Sequence, residues 1–135
     1  MASDESVRFV NPPTLPSSPG YTQVVVAPAG RTVHISGQVA LDASGAIVGP
    51  GDFGAQARQV FENLKAALAA GGARFADVVK ITIFVLDIAN LPALREIRDE
   101  YVNTERPPAS TAVQVGRLAR EELLLEIEAV AALPD

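Results

Sequence analysis

The segment KITIFVLD at residues 80–87 limits the fold of this 135-residue chain more than any other segment. In an extended conformation its apolar side chains lie on both faces, so both faces have to be covered. Such a strand belongs in the interior of a sheet, because edge strands are usually short, polar or charged. The segment therefore predicts a central strand in a sheet that other layers of the protein cover.

Two helices are predicted, one before and one after this strand. The first runs from Asp52 to about Gly71, over which apolar residues recur at the spacing of one helical face. Asp52 is its predicted N-cap, and the pair Gly71-Gly72 ends it. The second helix begins after Asn90, its predicted N-cap, with Pro92 in the first turn, where a missing N–H costs nothing.

Five further segments are predicted to be extended: residues 7–10, 23–27, 31–36, 110–115 and 123–131. The second and third of these flank the turn sequence PAG, and a two-strand hairpin is the simplest arrangement for them. The elements follow in the order strands, helix, strand, helix and two strands. This order predicts an α+β fold with two helices packed on one face of a mixed β-sheet.

Length and composition indicate one folded domain. The hydrophobic fraction of 48% and the charged fraction of 20% are typical of a globular chain. A length of 135 residues suits one domain and leaves little room for a second. We therefore expect a single domain over residues 1–135, in which residues 1–6 form a loose tail.

Several classes of protein are excluded by what the chain lacks. It has no cysteine, which excludes disulfides, thiolate metal sites and cysteine nucleophiles, and His34 is its only histidine. A net charge of −5 without a run of basic residues argues against nucleic-acid binding. Apolar runs of about five residues are far shorter than the ~20 that span a bilayer. The polar N-terminus lacks a secretory pattern, so we expect a cytoplasmic protein with no nucleic-acid or membrane partner.

The segment 123–131 carries two carboxylates on one face of a strand that is otherwise apolar. Glu126 and Glu128 would lie about 7 Å apart there. They can form a solvated or subunit-facing surface, or one of them can line a pocket and handle a water molecule or proton. Earlier in the chain, SGQ at residues 36–38 offers a hydroxyl and a backbone N–H to a polar ligand, or forms a simple turn. His34 is a packed or surface strand residue, or a catalyst.

Six segments, taken in order, resemble the Rid family (also called RidA/YjgF), whose founding members are enamine/imine deaminases. The matching segments are GYTQ at 20–23, SGQVALDASGAIVG at 36–49, QARQVFENL at 56–64, DVVKITIFVLD at 77–87, PPASTAVQVGRL at 107–118 and LEIEAVA at 125–131.

The resemblance implies a fold and an activity. It implies a chorismate-mutase-like α+β domain that assembles as a homotrimer, with three ligand pockets between neighbouring subunits. In the founding members the pocket hydrolyses reactive enamines and imines, such as 2-aminoacrylate, to 2-keto acids and ammonia, which limits metabolite damage. No metal or organic cofactor is used.

The resemblance also assigns roles to residues of this sequence. Glu126, the first glutamate of EIE, matches the family's water-positioning glutamate. Tyr21 matches the tyrosine of the GY motif, and Ser36 and Gly37 match the serine and glycine of SGQ. These groups would bind the substrate beside the glutamate. Glu128 is still predicted to lie on a solvated or subunit-facing surface.

The chain departs from the family at the residue that binds the substrate carboxylate. Founding members have an arginine where this chain has Ser110, and many have cysteine where it has Ala112. A serine is too short to replace the guanidinium, whose charged hydrogen bond is worth about 1.5–3 kcal/mol. Arg106, Arg117 and Arg31 are possible replacements from nearby loops.

Three functions remain open at this point. The first is an imine hydrolase for a substrate other than 2-aminoacrylate, which the retained Glu126 favours. The second is a non-catalytic trimer that binds a small metabolite and has a regulatory role, which Ser110 favours. The third is RNA cleavage, an activity ascribed to some relatives, which the net charge of −5 disfavours.

Overall fold

Residues 7–28 and 30–134 are described by the computed structural model, and the predicted tail at residues 1–6 lies outside them. The described residues form six strands and two helices, which confirms the α+β class. In chain order they are β1 (Arg8–Val10), β2 (Val24–Val26), β3 (Gly30–Gln38), α1 (Phe53–Ala70), β4 (Val78–Val85), α2 (Leu91–Arg98), β5 (Ala109–Gln114) and β6 (Leu125–Pro134).

Four of the strands form one mixed sheet in the order β3-β6-β4-β5. β6 runs antiparallel to both β3 and β4, whereas β4 and β5 are parallel. β4 lies between two other strands, which confirms the central position predicted for residues 80–87. The short strands β1 and β2 pair with each other in a separate two-stranded sheet.

The predicted hairpin between β2 and β3 is wrong. β2 pairs with β1, and β3 pairs instead with the last strand, β6. This pairing sets half-buried Val33 beside Ala131 and buried Ile35 beside Ala129, so that apolar side chains pack together under a helix. β2 has only three residues, and its Val24 remains exposed, so it offers β3 less surface to bury. Non-local burial therefore outweighs the local turn signal.

Both helices pack on one face of the four-stranded sheet and share a single buried core with it. The buried side chains of α1 are those of Gln56, Ala57, Val60, Phe61, Leu64 and Leu68. Tyr101, just beyond α2, stacks on Phe61 with ring centroids 5.1 Å apart, and its hydroxyl donates a hydrogen bond to Glu62. Burial raises the pKa of the Tyr101 hydroxyl. The predicted packing of two helices on one face is confirmed.

The N-cap predicted for α1 is confirmed, whereas Asn90 occupies the predicted N-cap position of α2 without a side-chain capping bond. The Asp52 carboxylate accepts a hydrogen bond from the Ala55 N–H at 3.0 Å. Asn90 makes no capping bond, because it already has helical backbone angles at the end of a 3₁₀ turn. The 3₁₀ turn that precedes α2 is capped by Asp87, which is extended and accepts a hydrogen bond from the Ala89 N–H at 2.9 Å.

The second face of the sheet carries no helix among the described residues. Its side chains include half-buried Phe84 and Val130 together with Lys80, whose Nζ donates to the Thr111 hydroxyl at 2.8 Å. We call this surface the open face. One chain thus covers only one side of the sheet, although β4 carries apolar side chains on both. In the described part of the chain no helix is long and apolar enough to cross a membrane.

Candidate functional site

The start of β6 is held in place by a buried amide of α1. The Gln56 side chain is fully buried, and its Oε1 accepts a hydrogen bond from the Leu124 N–H at 2.9 Å. Its Nε2 donates to the carbonyl oxygens of Glu122 at 2.9 Å and Gly49 at 3.2 Å. Glu126 follows two residues after Leu124, so this amide sets the entry of the strand that carries it.

The Glu126 side chain lies directly against Gly37 of β3. A Cβ atom added at Gly37 would overlap the Glu126 carboxylate, so any other residue there would force this side chain to move. The β3–β6 register shifts between Ile35 and Gln38, where a local irregularity brings the two residues together. The structure therefore joins two of the predicted site residues, Gly37 and Glu126, on the open face.

Ser36 and Glu128 also belong to the open face. Both line a shallow depression there with His34 and Lys80. Glu128 is exposed, whereas Glu126 is half-buried. The two carboxylates predicted to share one face do share it, and Glu126 is the more enclosed of the two.

Ser110 projects from the other face of the sheet. It is in register with Ile81 of β4, whose side chain is buried beneath the helices. Glu126 is in register with Phe84 of β4, three residues further along, and so points to the opposite side. A single chain therefore does not bring Ser110 and Glu126 into one cavity.

A cavity of about 250 Å³ lies on the helix-covered side, between α2, β5 and the loop before β2. Three of the predicted site residues line it: Tyr21, Ser110 and Ala112. The other lining residues are the apolar Pro19, Ile83, Leu91 and Leu94 and the basic Arg95 and Arg98. The cavity thus combines an apolar wall with two hydroxyl groups and two guanidinium groups.

Buried Thr22 brings the Tyr21 loop to this cavity. Its backbone N–H donates to the Pro108 carbonyl at 3.2 Å, and its hydroxyl donates to the Pro107 carbonyl. These prolines directly precede β5, so the two bonds hold Tyr21 beside Ser110. The GYTQ and PPAS segments, about 85 residues apart in sequence, therefore form one wall.

Arg98, in the last turn of α2, is the most buried charged residue of the cavity. Its side chain is 7% exposed, and its Nε and Nη2 lie 3.0 and 2.9 Å from one Asp99 carboxylate oxygen. Nη1 makes no hydrogen bond to any residue that the structure describes, and it is not enclosed. Gly20 makes room for the guanidinium: a Cβ there would lie 2.8 Å from Nη2, and its φ of +81° also favours glycine.

The arginines suggested by the sequence as replacements for the missing one lie elsewhere. Arg106 bonds to the backbone ahead of β1 and stacks on an aromatic ring of that strand. Arg117 donates to a neighbouring carbonyl, and Arg31 is exposed on β3. Sequence reasoning missed Arg95 and Arg98. Their spacing of three residues on one helix places them on one face and was the available signal.

No group of three or more histidine, aspartate or glutamate side chains is arranged to hold a metal ion among the described residues. A mixed sheet with one helix-covered face, one open face that bears a half-buried carboxylate, and a small cavity on the covered side define an α+β domain.

Comparisons with known proteins give the family. The model described as Endoribonuclease L-PSP matches residues 14–133. Protein DfrA of Myxococcus xanthus is 39% identical over 96% of this chain and 91% of its own length. The 2-iminobutanoate/2-iminopropanoate deaminase of Homo sapiens is 34% identical over 92% of this chain and 88% of its own. The Rid-family protein YyfB of Yersinia pestis superposes with a TM-score of 0.81 at 40% identity, covering 95% and 99% of the two chains. This chain belongs to the Rid (YjgF) family.

Proposed function

We propose that this protein is a cofactor-independent hydrolase of small enamines and imines, acting in the cytoplasm. The observation that carries the proposal is the Glu126 carboxylate, which lies half-buried against Gly37. The missing side chain at Gly37 leaves the space that the carboxylate occupies on this face. The relative named as a 2-iminobutanoate/2-iminopropanoate deaminase supports the same class of reaction.

In the proposed reaction Glu126 orients a water molecule and accepts its proton as the oxygen adds to the imine carbon. The imine nitrogen takes up a proton in the same step, so the product is a neutral tetrahedral carbinolamine. Its C–N bond then breaks as the nitrogen takes up the proton held by Glu126 and the hydroxyl group loses its own proton, which releases ammonia and leaves a carbonyl compound. An enamine enters the same sequence after its carbon gains a proton and its nitrogen loses one, which converts it to the imine.

We further propose that the working form is a homotrimer with pockets between neighbouring subunits. Glu126 and Ser110 point to opposite faces of one sheet, so a site that uses both needs residues from two copies. The open face supports this arrangement, because half-buried Phe84 and Val130 lie there without a covering layer in the described chain.

Sedimentation equilibrium or light scattering at micromolar concentration is expected to give three times the 14.1-kDa chain mass. Apolar area on the open face drives the assembly. A monomeric mass under these conditions would contradict both the trimer and the shared pocket.

The Gly37→Ala variant is expected to lose imine hydrolysis by at least tenfold. The added Cβ displaces the Glu126 carboxylate, and a shift of about 1 Å in a catalytic group can cost roughly 10²-fold. The overlap involves a flexible side chain, so the fold should survive, which circular dichroism would verify. Gly54→Ala is the matched control, because its Cβ would meet no atom nearer than 3.7 Å. Full activity in Gly37→Ala would show that this contact has no catalytic use.

The main experiment is a panel of imines generated in solution by an amino-acid oxidase. Their conversion to keto acids and ammonia is followed with and without this protein. Faster conversion of at least one imine is the expected result. The second candidate, a non-catalytic metabolite-binding trimer, is favoured by the absence of arginine at Ser110. It predicts saturable binding of the keto acids with no acceleration of any imine.

A further inference from the structure

We propose that Arg98 of α2 binds the substrate carboxylate in this chain, in place of the arginine missing at position 110. This inference rests on the hydrolase function proposed above and specifies its substrate class as 2-imino acids. The family resemblance places the carboxylate-binding cation on β5. The structure instead presents a cation to the same cavity from the helix on its other side.

The position of Arg98 suits it to hold a carboxylate. Its side chain is 7% exposed, so its charge acts in surroundings less polar than bulk water. Asp99 fixes the guanidinium through Nε and Nη2, which leaves Nη1 for a ligand. A planar guanidinium held in this way loses little freedom when it binds an anion. Asp99 is 47% exposed, so solvent weakens its neutralisation of the charge.

The rest of the cavity suits the remainder of a small 2-imino acid. Its volume of about 250 Å³ is below the range of roughly 300–1,000 Å³ typical of drug-sized ligands. Leu91 and Leu94 provide an apolar wall for a short alkyl chain, and the Ser110 hydroxyl lies in the same cavity as Arg98.

A serine at position 110 is consistent with a cation at position 98. The two residues line one small cavity, where an arginine at position 110 would stand close to Arg98 and repel it. Arg95 also lines the cavity, but it is exposed and makes no ion pair within the described residues. We assign Arg95 to the entrance of the cavity, where it attracts anions, and Arg98 to the direct contact with the substrate carboxylate.

The test measures equilibrium binding and does not depend on turnover. Calorimetry compares the Kd of 2-oxobutanoate, the keto acid that 2-iminobutanoate would yield, with that of its neutral amide, 2-oxobutanamide. The wild-type protein is expected to bind the acid at least tenfold more tightly, since a charged hydrogen bond is worth about 10- to 150-fold. In Arg98→Gln the ratio should fall below threefold. Arg58→Gln, a surface arginine paired with Glu100, is the control and should keep the wild-type ratio.

A second pair of variants tests the inference if Arg98→Gln does not fold. Ser110→Asp puts a carboxylate into the cavity, where it should pair with Arg98 and reduce the ratio below threefold. Ser110→Asn has the same size without the charge and should keep the ratio above tenfold. A ratio above tenfold in folded Arg98→Gln or in Ser110→Asp, or no preference in the wild type, would overturn the assignment. Acid preference without hydrolysis of any imine would contradict the proposed hydrolase alone.

Discussion

Glu126→Gln is expected to lower imine hydrolysis by about 10²- to 10⁴-fold, the range that a general base contributes. Glutamine has the same shape, but it does not accept the proton of the attacking water. The melting temperature should stay unchanged, because Glu126 has no ion pair within the described residues. Initial rates on the imine panel and a thermal melt measure the two effects.

Glu128→Gln is the matched control for this experiment. Glu128 lies two residues further along the same strand and on the same face, but it is exposed. The control variant should retain hydrolysis within threefold of the wild type. If Glu126→Gln behaves like the control, Glu126 is structural and the proposed mechanism is wrong. The keto-acid binding ratio should persist in Glu126→Gln, because Arg98 and not Glu126 is assigned to the carboxylate.

Gln56→Met is expected to lower the free energy of unfolding by about 3 kcal/mol. The fully buried amide makes three hydrogen bonds to backbone groups, and each contributes about 1 kcal/mol. Methionine fills a similar volume but makes none of these bonds. The expected fall in melting temperature is roughly 10 °C for a chain of this length. Urea unfolding and a thermal melt at fixed protein concentration measure it.

Gln59→Met provides the comparison on the same helix. Gln59 is half-buried and donates one hydrogen bond, to the Asn63 side chain. Its replacement should cost less than a third of the Gln56 effect. Equal effects of the two substitutions would show that the hydrogen bonds of the Gln56 amide at the start of β6 add no particular stability.

The elements that the sequence predicted correctly are those with local signals. The α1 helix was predicted with its Asp52 cap because helical periodicity and capping involve residues within one or two turns. The central position of β4 followed from apolar residues on both of its faces. The partner of β3 was predicted wrongly, since strand pairing joins residues far apart in sequence. The apolar packing of Val33 and Ile35 against β6 accounts for the observed pairing.

For the candidate site, too, the sequence identified the residues but not how they are arranged. The motifs singled out Glu126, Gly37, Tyr21 and Ser110, but not the face of the sheet from which each projects. That depends on the register of β6 and β5 against β4, where a shift by one residue would reverse every side chain. The separation of Glu126 from Ser110 is therefore a property of the assembled sheet.

The sequence by itself determined the family, the two helices, the central strand and the carboxylate at position 126, because each is encoded in neighbouring residues. Only the tertiary structure decided that Arg98 lines the cavity with Ser110 and Tyr21. The cavity forms where α2, β5 and the loop at residues 19–22 meet, and the hydrogen bonds of Thr22 hold that loop in place. An arginine on either of two elements that line one cavity can serve the same carboxylate, because the carboxylate requires a guanidinium within reach and not at a particular sequence position.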